Sequence, residues 1–523
     1  MYHHLPLLLL LSPLEAIIAG LVTLAFVFYF LWNFRKSSKT LAPEIPGGWP
    51  VIGHLFYFKN DADHDRTLAQ KLGDLADKHG PVFTYKLGFR RFLVVSSYDA
   101  IKECFTTNDI RFSNRPALLY GDHLCYNNAM LFIAKYGPYW RKIRKLVNQE
   151  VLSVNRLEKF KYIRFSIVQE NVKELYDHCD STINLTDWID KLSFDIILKM
   201  IAGKSYNNGH GEILKIAFQK FMVIAMEFEL YDIFPIPLFK WVDFSGNVKV
   251  VKETFKDIDT VFQGWLDEHI KKRESNNEVL DENEQDFIDS MLSKTSNERL
   301  GDTYSPSTTI KATIFSLVLD ATETLALHIK WVMALLINNK LEMKKAQEEI
   351  DTIVGKDRWV EESDIKNLVY LQAIVKEALR LYPPAPLSVP HESVEDCVVN
   401  GYHIPKGTVL LPNVMKLQRD PKMWLDPNKF DPERFLTTHA KIDYRGQHYE
   451  LIPFGTGRRA CPAMTYALQV EYLSIAHLIQ GFNFNTPSNE PLDMKEGVGI
   501  TSPKKNPIEV LITPRLPTML YQY

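Results

Sequence analysis

The chain has 523 residues, of which 46% are hydrophobic and 24% charged, the balance of a globular protein with a substantial core. A net charge of −3 argues against nucleic acid as the main partner. Its five cysteines (Cys104, Cys125, Cys179, Cys397, Cys461) are odd in number and widely scattered, which excludes a disulfide framework and suits a reducing compartment.

Residues 16–32 are an apolar stretch just long enough to cross a bilayer as a helix. Arg35, Lys36 and Lys39 follow it and no Lys or Arg precedes it, so the positive-inside rule puts the rest of the chain in the cytosol. A cleaved signal peptide is the competing reading, disfavoured by the missing basic n-region and the missing small-x-small site. A membrane anchor over 1–40 and one globular body over 41–523 are therefore expected. Pro43, Pro46 and Pro50 make the junction a rigid, helix-breaking linker. Strand-like runs at 82–87 and 91–96 follow, with a hairpin break at Gly88.

From 99 to 299 most of the chain reads helical, with apolar residues three and four apart. Trp140 and Arg144 share a helix face there and can offer an indole N–H and a guanidinium to one anion. An ordinary basic amphipathic helix fits the same residues. Polar loops are expected at 274–283 and 293–306. The sequon Asn184-Leu185-Thr186 is expected to be unused, because the topology keeps it out of the lumen.

A long apolar helix over 307–339 carries Asp320-Ala321-Thr322-Glu323-Thr324-Leu325. Asp320 stands four residues before Thr324 and shares its face. An unpaired carboxylate in an apolar pocket is costly or is forced to protonate. Either a cationic ligand compensates it, or Asp320 bonds locally or turns into a solvated channel.

Glu377 and Arg380 are three apart on a helix that Pro383 ends, alone no more than a weak surface ion pair. Arg434 follows within Phe430-Asp431-Pro432-Glu433-Arg434-Phe435. Then comes Phe454-Gly455-Thr456-Gly457-Arg458-Arg459-Ala460-Cys461-Pro462-Ala463. Pro462 is expected to open a helix, which sets Cys461 at a helix N-terminus that favours a thiolate. Such a thiolate serves as a nucleophile, a zinc ligand or the axial ligand of a haem. No second Cys or His stands at zinc spacing, so zinc is disfavoured.

This last stretch resembles the haem-binding loop of the cytochrome P-450 superfamily, Phe-x-x-Gly-x-Arg-x-Cys-x-Gly. Phe454, Gly457, Arg459 and Cys461 match, and Ala463 replaces the final glycine. The proline hinge, Trp140 with Arg144, Glu323-Thr324, Glu377 with Arg380, and the Pro-Glu-Arg-Phe stretch appear in the family's order. Asp320 departs from the family's alanine or glycine, and Leu325 from its second hydroxyl. The chain most resembles plant microsomal members of family 82.

The resemblance implies a mainly α fold with small β-sheets behind a single transmembrane helix. It implies haem b with Cys461 on the iron, Trp140, Arg144, His391 and Arg459 around the propionates, and Phe454 in the cofactor loop. Glu323 and Thr324 would deliver protons, and Glu377, Arg380 and Arg434 would form a buried structural network. It further implies NADPH-cytochrome P-450 reductase as partner, an endoplasmic reticulum membrane location and a substrate pocket drawing on 118–129, 317–324, 387–389 (Val389 included) and 498–501. The expected activity is NADPH- and O2-dependent hydroxylation of a plant specialised metabolite. Asp320 and the family flavour point to a cationic benzylisoquinoline alkaloid of N-methyl protoberberine or protopine type. A neutral lignan or terpenoid is the runner-up, and an oxygen-independent rearranging haem-thiolate enzyme is the alternative from another class, which Thr324 disfavours.

Overall fold

The computed structural model describes residues 40–59, 66–208, 210–226, 228–237, 246–275, 285–297 and 303–522, together with 20, 23 and 239. The expected anchor at 16–32 lies outside the described residues, as do 276–283 of the first polar loop and 298–302 of the second. The described chain is mainly helical with small sheets, as the sequence led one to expect.

Helix α1 (Leu68–His79) starts from a capping box: the Thr67 hydroxyl accepts the Gln70 N–H and the Gln70 side chain accepts the Thr67 N–H. Strands β1 (Val82–Leu87) and β2 (Arg90–Val95) form the antiparallel hairpin. Gly88 turns it at φ +57°, and a Cβ there would lie 2.3 Å from Ile233 Cγ2, so glycine is required. Helix α2 (Pro138–Glu150) has proline in its first turn, where no N–H is missed. Asn184 caps α3 (Leu185–Ala202) by accepting the Thr186 and Asp187 N–H groups, so the sequon asparagine has a structural task.

Helices α4 (His210–Ile224) and α5 (Asn247–Ser275) precede a shorter helix, Phe287–Asn297. That helix occupies the start of the expected 293–306 loop. Asp286 Oδ1 accepts the Asp289 N–H at 3.0 Å and nucleates it, a start signal hidden in an acidic stretch.

The centre of the body is α6 (Pro306–Asn338). Ser305 caps it by accepting the Thr308 N–H, and Pro306 opens it. It is long and apolar enough to cross a membrane, yet it is buried against α3, α5, α7 (Val369–Leu381) and α8 (Met464–Gly481). Its apolar residues run all round the helix, which is the pattern of a core element. Trp331, fully buried, stacks on Tyr382 at 3.9 Å and donates its indole N–H to the Ser502 carbonyl at 2.8 Å. Truncating it to alanine is expected to cost about 3–5 kcal/mol. Tyr382 ends α7 outside the helical region, at φ −127° and ψ 66°, as the residue before a proline is pushed out of the α conformation.

Beyond α7, β3 (His391–Glu392) and β4 (Val409–Pro412) complete a sheet ordered β1-β2-β4-β3, with β2 and β4 parallel. The antiparallel β3–β4 register sets His391 opposite Leu410. Strands β5 (Phe482–Asn485) and β6 (Glu509–Pro514) follow α8 and pair antiparallel. The cysteine loop therefore leads directly into α8, which packs against α6.

Candidate functional site

The cysteine loop is closed by its own backbone, with the Cys461 N–H donating to the Phe454 carbonyl at 2.8 Å. Gly457 sits at φ +70°, and a Cβ on it would lie 2.4 Å from Asp109 Oδ1. That carboxylate accepts the Arg458 N–H at 3.1 Å and pairs with the Arg458 guanidinium at 3.0 Å, so any larger residue would break the clasp. Phe454 is half-buried and meets Tyr444 edge-on at 5.8 Å.

Contrary to the expectation, Pro462 does not open the following helix; α8 begins at Met464 with Ala463 as cap. The intervening backbone is turned so that the Ala463 N–H points at the cysteine sulfur. Cys461 is exposed within a cleft walled by protein. Burial pushes its thiol up to about 11, against the pull of the Ala463 N–H and Arg144, while Asp320 raises it further. The expected thiolate thus does not arise from the helix terminus: desolvation outweighs the dipole. A metal cation on the sulfur reverses that balance.

Beside the loop lies a cluster of guanidiniums. Arg459 stacks over the buried Trp140 ring at 4.4 Å, and Arg144 stands 5.6 Å from the same ring. Arg459 donates from Nε to Ser113 at 2.8 Å and from Nη2 to Ala134 at 2.6 Å, both carbonyls, while its buried Nη1 has no hydrogen-bond partner. Arg144 donates to the Ala460 carbonyl at 2.5 Å. A third arginine, Arg115, escaped the sequence reading. It donates to the carbonyls of Phe132 at 2.9 Å and of Val389 and Pro390 at 2.8 Å each. Val389 thereby serves through its backbone, with its side chain half-buried.

Two of the expected donors behave differently. The Trp140 indole N–H is taken by the Leu131 carbonyl at 3.1 Å, so Trp140 offers a flat ring rather than a donor. His391 is buried, its Nδ1 bonded to the Phe112 carbonyl at 2.7 Å. Burial, then Arg115 and Arg459, hold its pKa well below the usual range, so it is a neutral imidazole rather than a cation.

The arginines themselves are strained electrostatically. Burial and then Arg459 lower Arg115 to about 9; burial and then Arg144 lower Arg459 to about 10; burial lowers Arg144. No carboxylate is among the groups that act on them. One buried and two half-buried cations without an acid are costly, so the set calls for an anionic guest. The orphaned Arg459 Nη1 and the exposed sulfur fit the carboxylates and the iron of a haem.

Across the cleft, Asp320 and Thr324 share a face of α6. The Thr324 hydroxyl donates to the Asp320 backbone carbonyl at 2.6 Å. Desolvation raises the Asp320 carboxyl to about 7, and its charge reaches the thiols of Cys461 and Cys125. Glu323 is turned about 100° from Thr324 and about 60° from Asp320 around the helix. Burial first, then Asp190, raise it to about 7 against Lys330 and Lys215. Lys330 in turn pairs with Asp190 on α3 at 2.5 Å, so Glu323 belongs to an ionic cluster that Asp320 does not share.

Glu377, Arg380 and Arg434 are all buried and joined. Arg380 forks onto both Glu377 oxygens at 2.7 Å each, and Arg434 Nε reaches Oε1 at 3.1 Å. The Asp431 N–H adds a donor at 3.0 Å. The pair is therefore not the surface contact that its spacing alone describes.

The family model for Cytochrome P450 matches residues 43–510. Nicotine N-demethylase CYP82E4 of Nicotiana tomentosiformis is 68% identical over 98% of this chain and 100% of its own. Nicotine N-demethylase CYP82E3 of the same plant is 69% identical over 97% of this chain and 99% of its own. Among solved structures, a zebra fish cytochrome P450 with progesterone superposes with a TM-score of 0.72 at 24% identity, covering 86% of this chain and 99% of that one. That last likeness concerns the fold.

Proposed function

Because this chain belongs to the cytochrome P450 family, as a haem-thiolate monooxygenase of plant family 82, we propose that it removes an N-methyl group from a small basic alkaloid of the nicotine kind. The observation that carries this reading is the 68% identity to a nicotine N-demethylase over 98% of the chain. The protoberberine and protopine expectation is set aside: the relatives of highest identity reported above are named for nicotine, not for a benzylisoquinoline. A neutral lignan or terpenoid supplies no counter-charge to the Asp320 carboxylate.

Cys461 is the residue we assign to the iron, and Arg115, Arg144 and Arg459 to the propionates, with the Trp140 ring backing Arg459. When bound, the haem activates dioxygen and inserts one oxygen atom into a C–H bond. That chemistry would draw two electrons from NADPH through a reductase and would need two protons, the second oxygen atom leaving as water. Glu323, poised at about 7, and Thr324 are assigned to those protons, since a group near the working pH both takes and gives them. Oxidation of an N-methyl C–H gives N–CH2OH. The C–N bond then breaks, the hydroxyl proton passes to nitrogen, and a secondary amine and formaldehyde leave. Residues 16–32 are assigned to a single-pass anchor in the endoplasmic reticulum membrane, which keeps the body beside the reductase.

Co-expression with a plant NADPH reductase and incubation with nicotine tests the proposal. Formaldehyde and the secondary amine in equal amounts are expected. NADPH consumption without formaldehyde, in protein whose reduced carbon monoxide complex has the thiolate band, would leave the family and remove the demethylation.

A further inference from the structure

Asp320 is an anomaly that the monooxygenase chemistry does not absorb. Its residue is exposed to the cleft rather than closed off in the core. Its carboxyl makes no hydrogen bond or ion pair among the described residues, because Thr324 donates to the Asp320 backbone carbonyl instead. The local bond that would explain an acid here is therefore absent among the described residues. Among the described residues, the groups whose charges interact with it are the thiols of Cys461 and Cys125; neither is a cation. The ionic cluster of Glu323, Asp190, Lys330 and Lys215 lies around the helix and supplies no counter-charge to it.

We infer that Asp320 is the counter-ion of the substrate's ammonium group, and that it selects amines and fixes which carbon is oxidised. This rests on the reading of the chain as an amine-oxidising haem-thiolate enzyme. Asp320 stands four residues, about 6 Å along the axis, from Thr324. A protonated tertiary amine has one N–H, which is directed to the carboxylate in a charge-assisted hydrogen bond. The carbons bonded to that nitrogen are then the ones held nearest the face that Thr324 shares. Attack at such a carbon is what N-dealkylation requires. The same contact discriminates against neutral molecules of equal shape, because they leave the carboxylate desolvated and unpaired.

The test is a haem spin-state titration of the holoenzyme with N-methyl phenylpyrrolidine and with its neutral lactam. Neither carries a pyridine nitrogen that would ligate iron. The wild type is expected to prefer the amine by about 10- to 100-fold, the range for a hydrogen bond between charged groups. Asp320→Asn loses that preference while binding the lactam as before, and Asp320→Glu keeps most of it. The thiolate band of the carbon monoxide complex verifies each variant's fold. Equal wild-type affinity for amine and lactam, or an Asp320→Asn variant that still prefers the amine, overturns the assignment. An amine preference in an enzyme that releases no formaldehyde from nicotine keeps Asp320 in this role and removes the demethylation reading alone.

Discussion

Arg380 and Arg434 are buried around a carboxylate that they share; Arg115 is buried, and Arg144 and Arg459 half-buried, with no acid among their partners. In the first cluster Glu377 accepts from both guanidiniums. The remaining N–H groups go to the carbonyls of Gln418, Pro427, Lys429 and Leu425. In the second, every acceptor named above is a neutral carbonyl, one nitrogen has none, and two of the three guanidiniums are lowered further by a neighbouring one. The closed cluster is architecture, complete as the chain folds. The open one has the chemistry of half a site, and Asp320 is the same case with the sign reversed.

The largest effect is expected where the closed cluster is broken. Glu377→Ala leaves two buried guanidiniums without an acid and is predicted to cost about 3–5 kcal/mol, read as loss of folded protein in thermal unfolding. In the open cluster, Arg115→Met removes a charge that no protein acid balances. The chain is predicted to stay folded and to bind haem about 10- to 100-fold more weakly, as a charged hydrogen bond warrants. Equal damage to folding from both substitutions would erase the distinction.

A third prediction uses pH. The Asp320 carboxyl, raised to about 7, is protonated below that value and ionised above it. Affinity for a permanently charged quaternary ammonium analogue therefore rises with pH, by about tenfold between roughly pH 6 and pH 8, and is flat in Asp320→Asn. Among the described residues, the groups whose charges interact with Asp320 are Cys125 and Cys461, whose thiols are pushed up by burial and stay neutral unless the iron holds the latter. The smallest effect is expected at Ala463, which caps α8 without a side-chain bond. Ala463→Gly is predicted to shift stability by no more than about 0.5 kcal/mol and to leave the carbon monoxide spectrum unchanged.

These contrasts also explain what could be read from sequence. Cys461, Glu377, Arg380 and Arg434 stand in short phrases whose order along the chain is informative, and the long helix announces itself by sustained apolar content. Arg115 has no such phrase: a lone arginine before Pro116 carries no period, and only folding brings it to Arg459. Trp140 was placed correctly on its helix, but the Leu131 carbonyl that takes its N–H comes from a loop whose path no spacing predicts. The thiol of Cys461 misled for a different reason. A helix terminus is visible in sequence, whereas the desolvation that outweighs it is a property of the finished fold. Asp320 was legible as an exception, and the structure removed the local bond that would have made it ordinary.

The distinction between the two arginine clusters can be measured directly by comparing haem release to a haem-binding trap with thermal unfolding, for Arg459→Met and Arg434→Met holoenzymes. The account predicts that Arg459→Met releases haem about tenfold faster or more from a chain of near-normal stability, while Arg434→Met loses stability and haem together. If Arg459→Met holds its haem as the wild type does, the open cluster is not the seat of the propionates and the account fails at its centre.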